Sequence, residues 1–131
     1  MNESTKLIQN PIVYQVAAAG QSADAVACLG PIPYIARCLD DVEFPAEHRW
    51  IFPVVKFASA AGLAAAPRFP WLARLTAVML TIYFSLAVGM HVRARDFRLN
   101  FAAASSFLVF DGFLAATGPR VAPAPAPEPE R

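Results

Sequence analysis

Charged residues are scarce in this chain of 131 residues. Asp, Glu, Lys and Arg make up 16% of it, against about 25% in ordinary soluble domains, and eleven basic residues nearly cancel ten acidic ones to leave a net charge of +1. That balance offers no sequence-wide attraction for nucleic acid and provides no acidic solvating tail. Cysteine is limited to Cys28 and Cys38, too few for a disulfide scaffold and not spaced as the C-x-x-C of a thiol–disulfide catalyst. With two histidines and six glycines, the sequence has no His/Cys grouping at metal spacing, no Gly-rich phosphate loop, no HExxH helix and no nucleophile elbow. A ligand set for haem, flavin or iron–sulfur is also missing.

What the chain has instead is long apolar runs. Its apolar share is 56%, ten residues are Phe, and its mean hydropathy is +0.42. Residues 11–29, 50–66, 72–92 and 99–116 fall in the range of about 17–25 mostly apolar residues that a helix needs to cross a hydrocarbon core. In the third run, LARLTAVMLTIYFSLAVGMHV, only Arg74 and His91, both near its ends, can carry charge. A soluble amphipathic helix would show a charged face every third or fourth position. The predicted fold is therefore all-α: a four-helix transmembrane bundle over residues 1–118, multi-pass in a bacterial-type inner membrane. A disordered Pro/Ala-rich tail follows at 119–131, where VAPAPAPEPER favours extended polyproline-type backbone.

The connections fit that layout. Residues 30–49 combine three prolines with dense charge and read as a loop with one short interfacial helix near 34–39. Trp50 and Trp71 fall at span boundaries, where an indole prefers the interface. Gln15, Gln21 and Asp24 interrupt the apolar run that a cleaved signal needs, so the first span reads as retained. Four spans put the termini and the 67–71 turn on one side, A, and the 30–49 and 93–98 loops on the other, B. Lys6, Arg68, Arg74, Arg120 and Arg131 lie on side A and Arg37, Arg49, Arg93, Arg95 and Arg98 on side B. The tie leaves the positive-inside rule without an orientation.

An ionisable group within a span is costly and normally faces the interior with a partner. Counted from side B at 1.5 Å per residue, Asp24 lies about 8 Å deep, Lys56 about 9 Å, Asp111 about 18 Å and His91 about 2 Å. Lys56 therefore matches Asp24, and Gln21, Asp24 and Cys28 share one helix face at i, i+3, i+7. The pair is a candidate for acid–base chemistry and equally for fixing helix register. Asp111 reads as a structural carboxyl within reach of Thr81. His91, the third candidate catalytic group, could shuttle protons at the side B boundary or join Arg93 and Arg95 around an anionic headgroup. Gln21 and Tyr83, with Arg93 and Arg95, are candidate substrate- or lipid-binding residues, and no metal ligand is assigned. Ala58, Gly62 and Ala66 form a small-residue face for close helix packing. Cys28 and Cys38 read as two small buried thiols, able to bridge only if side B faced an oxidising compartment.

Three pieces of the chain resemble the DoxX-like family of small four-helix membrane proteins: AGQSADAVACLGPIPYIARCL, VVKFASAAGLAAA and LARLTAVMLTIYFSLAVGMHVRARD. The resemblance covers residues 12–116, and its most specific part is Gly89-Met90-His91-Val92-Arg93, similar to that family's small-residue, His, aliphatic, Arg exit from the third helix. Many members carry Glu where this chain has Lys56, and one branch uses Lys. The resemblance implies an auxiliary subunit or partner of a membrane-associated redox or stress-response system. Its partners would be the lipid bilayer and a protein of that assembly, with an oligomer as a further option. No cofactor is evident from the residues; such a role would draw on a bound quinone or lipid. Two other readings stand beside it. One is a membrane-embedded acid–base enzyme of isomerase or cyclase type acting on an apolar small molecule through Asp24, Lys56 and His91. The other is a lipid-binding structural bundle. A sizeable closed pocket reaching both Asp24 and Lys56 would favour the enzyme, and an exposed apolar face with a packed interior would favour the subunit.

Overall fold

Each helix begins or ends at residues suited to the place. Asn10 Oδ1 accepts a hydrogen bond from the Ile12 N–H at 3.0 Å, and Pro11 fills the first helical turn, where a missing N–H does no harm. Pro33 and Pro70 open two further helices in the same way. The computed structural model describes residues 2–30 and 32–121. Among them the chain is all-helical, with α1 (Glu3–Ile8), α2 (Pro11–Leu29), α3 (Pro33–Asp41), a 3-10 turn at Ala46–His48, α4 (Ile51–Ala64), α5 (Pro70–Ala94) and α6 (Leu99–Thr117).

Helices α2, α4, α5 and α6 run up and down against one another. Antiparallel pairing of α2 with α4 follows from two contacts, Asp24 with Lys56 and Gln15 with the carbonyl of Ala64. Arg74 meets Ala115 and Ala116 at one end of the α5–α6 pair, and Phe84 stacks on Phe107 further along. The pairs join where α4 crosses α5. The shared core is built largely from small residues, Ala18, Ala73, Ala77 and Ala104 among them, with Tyr14, Leu63, Leu80, Phe84 and Leu114 filling the gaps. Small side chains let helix backbones approach closely, the mode of association that works in lipid.

Side A is closed by polar groups that cap helix ends. Gln15 Nε2 donates to the Ala64 carbonyl at 3.0 Å, Gln9 Nε2 to the Thr117 carbonyl at 3.4 Å, and Arg74 to the carbonyls of Ala115 and Ala116 at 2.9 and 3.1 Å. These carbonyls have no partner within their own helices. Gly118, at φ 67°, turns the chain after α6, and a Cβ there would lie 3.1 Å from Arg74 Cδ.

The all-α expectation agrees with this architecture, but among the described residues there are six α-helices, where the sequence pointed to four spans and one short interfacial helix. The addition is α1, which the apolar runs did not mark; α3 covers the anticipated short helix. Among the described residues, only α5 and α6 are long and apolar enough by themselves to cross a membrane. Helix α4 has 14 residues, about 21 Å of rise, and α2 is diluted by Gln15, Gln21 and Asp24. The small-residue face is also displaced: Gly62 and Ala66 are buried whereas Ala58 is exposed. At the other end, Pro119 is buried and the Arg120 N–H donates to the Gln9 carbonyl at 2.8 Å, so the first residues after 118 lie against the bundle. The rest of the predicted tail, 122–131, lies outside the described residues.

Candidate functional site

Toward side B, residues of α2, α3, α4, α5 and α6 line a cavity of about 330 Å³. Its wall is mostly apolar and aromatic: Phe44, Phe52, Phe84 and Phe107 with the ring of Tyr83. Tyr83 meets Phe84 edge to face at 5.0 Å between centroids, and Phe84 stacks on Phe107 at 5.1 Å. Helix α3 contributes Tyr34, Ile35, Cys38 and Leu39. Its Tyr34 hydroxyl donates to Asn100 Oδ1 at 2.5 Å, fastening α3 to the first turn of α6.

Two ionisable groups on different helices open onto this apolar space. From α4, Lys56 donates from Nζ to Asp24 Oδ2 of α2. The lysine side chain is 8% exposed and the aspartate 41%, so the ammonium is enclosed while its partner is accessible. Lys56 Nζ also stands 5.5 Å from the centroid of Tyr83 and 5.9 Å from that of Phe84, where the negative faces of the rings favour a cation.

The second group is His91, in the last turn of α5 and buried. Helix α5 is stopped by Arg95 in the left-handed conformation, φ 55° and ψ 30°, and the reversal lets the Asp96 N–H donate to the His91 carbonyl at 3.0 Å. The Asp96 carboxylate is thereby folded back onto the imidazole, with Oδ2 3.1 Å from His91 Nδ1. Its other oxygen accepts from Arg98 Nε at 2.6 Å, and Arg98 Nη2 reaches Asp41 Oδ2 of α3, also at 2.6 Å. The Arg98 hydrogen bond, with a smaller contribution from His91 and against the opposing effect of burial, holds the Asp96 carboxyl below its ordinary range. Arg98 is correspondingly pushed up, chiefly by its bond to Asp96. Burial, with Asp96 and Asp41 nearby, pushes the Cys38 thiol up despite Arg98, so it is a poor nucleophile at neutral pH.

The structure thus brings Asp24, Lys56, Tyr83 and His91 to one cavity and leaves the other candidates outside it. Gln21 is buried on the inner face of α2, away from the cavity wall, with Oε1 unpartnered. Arg93 and Arg95 are exposed. His91 points inward and pairs with Asp96, so it does not join them around a headgroup; Arg95 acts through its backbone, as the turn that ends α5. The anticipated Thr81–Asp111 bond is replaced: Thr81 Oγ1 donates to the Ala77 carbonyl of its own helix at 2.8 Å, and Asp111 Oδ2 has no partner among the described residues. Both cysteines are free thiols lining the cavity. Asp96 and Tyr34 were missed by the sequence reading. For Asp96 the available signal was a carboxylate five residues after a helix-terminal His and two before an Arg.

Among known proteins, a family model described as DoxX-like matches residues 12–116. The chain belongs to the DoxX-like family. The match runs from the second residue of α2 to the penultimate residue of α6 and so contains every residue of the cavity. Family membership and the two long apolar helices together identify a membrane protein. No curated protein and no solved structure matches the chain.

Proposed function

We propose that this DoxX-like protein spans the inner membrane four times and that its side B cavity binds a small, neutral, largely apolar molecule bearing an oxygen, on which it performs acid–base chemistry. The four-span arrangement is supported by an inverted pattern in the two weaker helices. On α2 the buried face includes Gln21, while Ile12, Val16, Val26 and Leu29 are exposed; on α4 Lys56 and Ser59 are buried, while Ile51, Val54 and Phe57 are exposed. Polar groups inside and apolar groups outside suit lipid as the surrounding solvent.

One observation carries the functional reading: a half-open, aromatic-walled cavity of about 330 Å³ onto which both Lys56–Asp24 and His91 open. Among the described residues lining the cavity, Lys56 is the one with a permanent cationic head and it is paired with Asp24, so the wall favours a neutral ligand over an anionic one. Lys56 has three N–H donors, and only one is used by Asp24. A bound carbonyl or hydroxyl can accept another. When a proton leaves an O–H or activated C–H of the bound molecule for His91, the electron pair stays on that molecule, and Lys56 stabilises the charge developing on its oxygen.

The auxiliary redox reading is favoured by one feature of the same cavity. Phe84, beside Lys56, and His91 lie two turns apart on α5, about 10 Å of rise, so stacked rings separate two polar ends in the way a quinone ring with opposed carbonyls requires. Purification in mild detergent, followed by solvent extraction and mass spectrometry, distinguishes the readings. The expected result is one neutral apolar molecule per protein, lost in Ala87→Phe, which fills the cavity, with helical content unchanged. A quinone would select the redox role, phospholipid alone would select the lipid-binding bundle, and an empty protein would refute the cavity reading.

A further inference from the structure

The cavity has a donor in Lys56, and its chemistry depends on what His91 presents opposite that donor. A neutral imidazole has one N–H and one bare nitrogen, and the hydrogen bond made by one ring nitrogen decides the state of the other. We infer that Asp96 is the positioning residue of this site: by taking the Nδ1 proton of His91 in a hydrogen bond, it leaves Nε2 bare as the acceptor and base that serves the cavity. The inference rests on the cavity reading proposed above and adds a residue and a polarity to it.

Three features of the local structure support this assignment. An ionised carboxylate can only accept, so the 3.1 Å contact between His91 Nδ1 and Asp96 Oδ2 requires the proton to be on Nδ1. Asp96 is held ionised by Arg98 at 2.6 Å on its other oxygen. The backbone makes the geometry local, because the left-handed Arg95 and the bond from Asp96 N–H to the His91 carbonyl bring the two side chains together within one reversed turn. Among the described residues, no other ionised group is hydrogen-bonded or ion-paired to the imidazole. Asp24, Lys56 and Tyr83 share its cavity from α2, α4 and α5, as do Cys28 and, from α3, Cys38 and Tyr34, and none of them is hydrogen-bonded to it. When Nε2 gains a proton, the resulting imidazolium donates to a carboxylate that is already in place, so no group needs to reorganise. Asp41, through Arg98, ties the same carboxylate to α3, which contributes Tyr34 and Cys38 to the cavity wall.

The arrangement also fixes what Asp96→Asn should do. Arg98 Nε will keep the amide oxygen on its own side, which turns the amide NH2 toward His91 Nδ1. A donor there forces the imidazole proton onto Nε2 and converts the cavity face of His91 from acceptor to donor, a change that a merely structural Asp96 would not produce. The test is 15N NMR of histidine-labelled protein in detergent micelles at a pH where imidazole is neutral, with exposed His48, the second histidine, as internal reference. The expected result is His91 with its proton on Nδ1 in the wild type and on Nε2 in Asp96→Asn, with His48 unchanged. Wild-type His91 protonated on Nε2, or a folded Asp96→Asn with its tautomer unchanged, would overturn the assignment, and the wild-type measurement decides even if the variant does not fold. The experiment needs no ligand: a correct tautomer in a protein whose cavity proves empty would remove the cavity reading and leave the role of Asp96 intact.

Discussion

Lys56 and Asp24 form one ion pair but do not share one environment, and that asymmetry predicts unequal consequences of removing either. With its side chain 8% exposed against 41% for Asp24, Lys56 is the group that cannot find other solvation. Asp24→Leu leaves an enclosed ammonium without its carboxylate and should cost about 3–5 kcal/mol. Lys56→Met leaves a carboxylate that still reaches the cavity, at the smaller cost of about 1–3 kcal/mol for a partly satisfied polar group. The double variant should recover most of the loss, and thermal unfolding of all three in detergent checks the order. Asp96 gives the pH counterpart. Its folded carboxyl is held below the ordinary 3.8, so its contribution is complete above about pH 4 and is lost as the pH falls further. The unfolding midpoint of the wild type should therefore drop more steeply in acid than that of Asp96→Asn; parallel curves would contradict the bond network.

At the scale of elements, the contact between α4 and α5 depends on Gly62. A Cβ at that position would overlap Thr76 Oγ1 and lie 3.0 Å from both Cβ and Cγ2 of Thr76. Thr76 Oγ1 is itself bonded to the Leu72 carbonyl at 2.8 Å. Gly62→Ala should destabilise by about 1–3 kcal/mol through overpacking, and adding Thr76→Ala, which removes the worst overlap, should restore most of it. Equal unfolding midpoints for Gly62→Ala and the wild type would show that the helices are not so close. The small-residue face was legible because close approach leaves a compositional trace, although Ala58 proved to lie outside it. The Lys56–Asp24 proximity was legible from helical rise together with the shared polar face of Gln21 and Asp24, since both groups sit on helices adjacent in sequence and joined by a recognisable loop. Asp96 was not legible in the same way. Its place depends on one left-handed residue, and Arg95 is not a residue type that announces such a turn. The roles of Gln9 and Gln15 were hidden for a related reason: a glutamine in an apolar run looks like an interruption until the helix end it caps is located.

At the scale of the molecule, the surface itself sets the topology to be tested. In the most apolar stretches of α5 and α6 only 22% and 17% of residues are buried inside the protein, far too little for core helices of a soluble domain. Trp50 and Trp71 are 64% and 66% exposed beside the ends of α4 and α5, where an interfacial belt would lie. If α5 and α6 alone cross the bilayer, everything before α5 stays on one side. If α2 and α4 cross as well, the segment between them is carried to the opposite side. Glu47, in the exposed turn before α4, separates the two cases; Glu3 and Arg68 do not. In a background with Cys28 and Cys38 replaced by Ala, single substitutions Glu3→Cys, Glu47→Cys and Arg68→Cys can be treated with a membrane-impermeant maleimide on intact cells and then on opened membranes. Four spans require Glu3→Cys and Arg68→Cys to label together and Glu47→Cys to label from the other face. Labelling of all three from one face would leave only α5 and α6 across the membrane, with α2 and α4 packed against them from the interface, and the ion pair would then lie outside the hydrocarbon core.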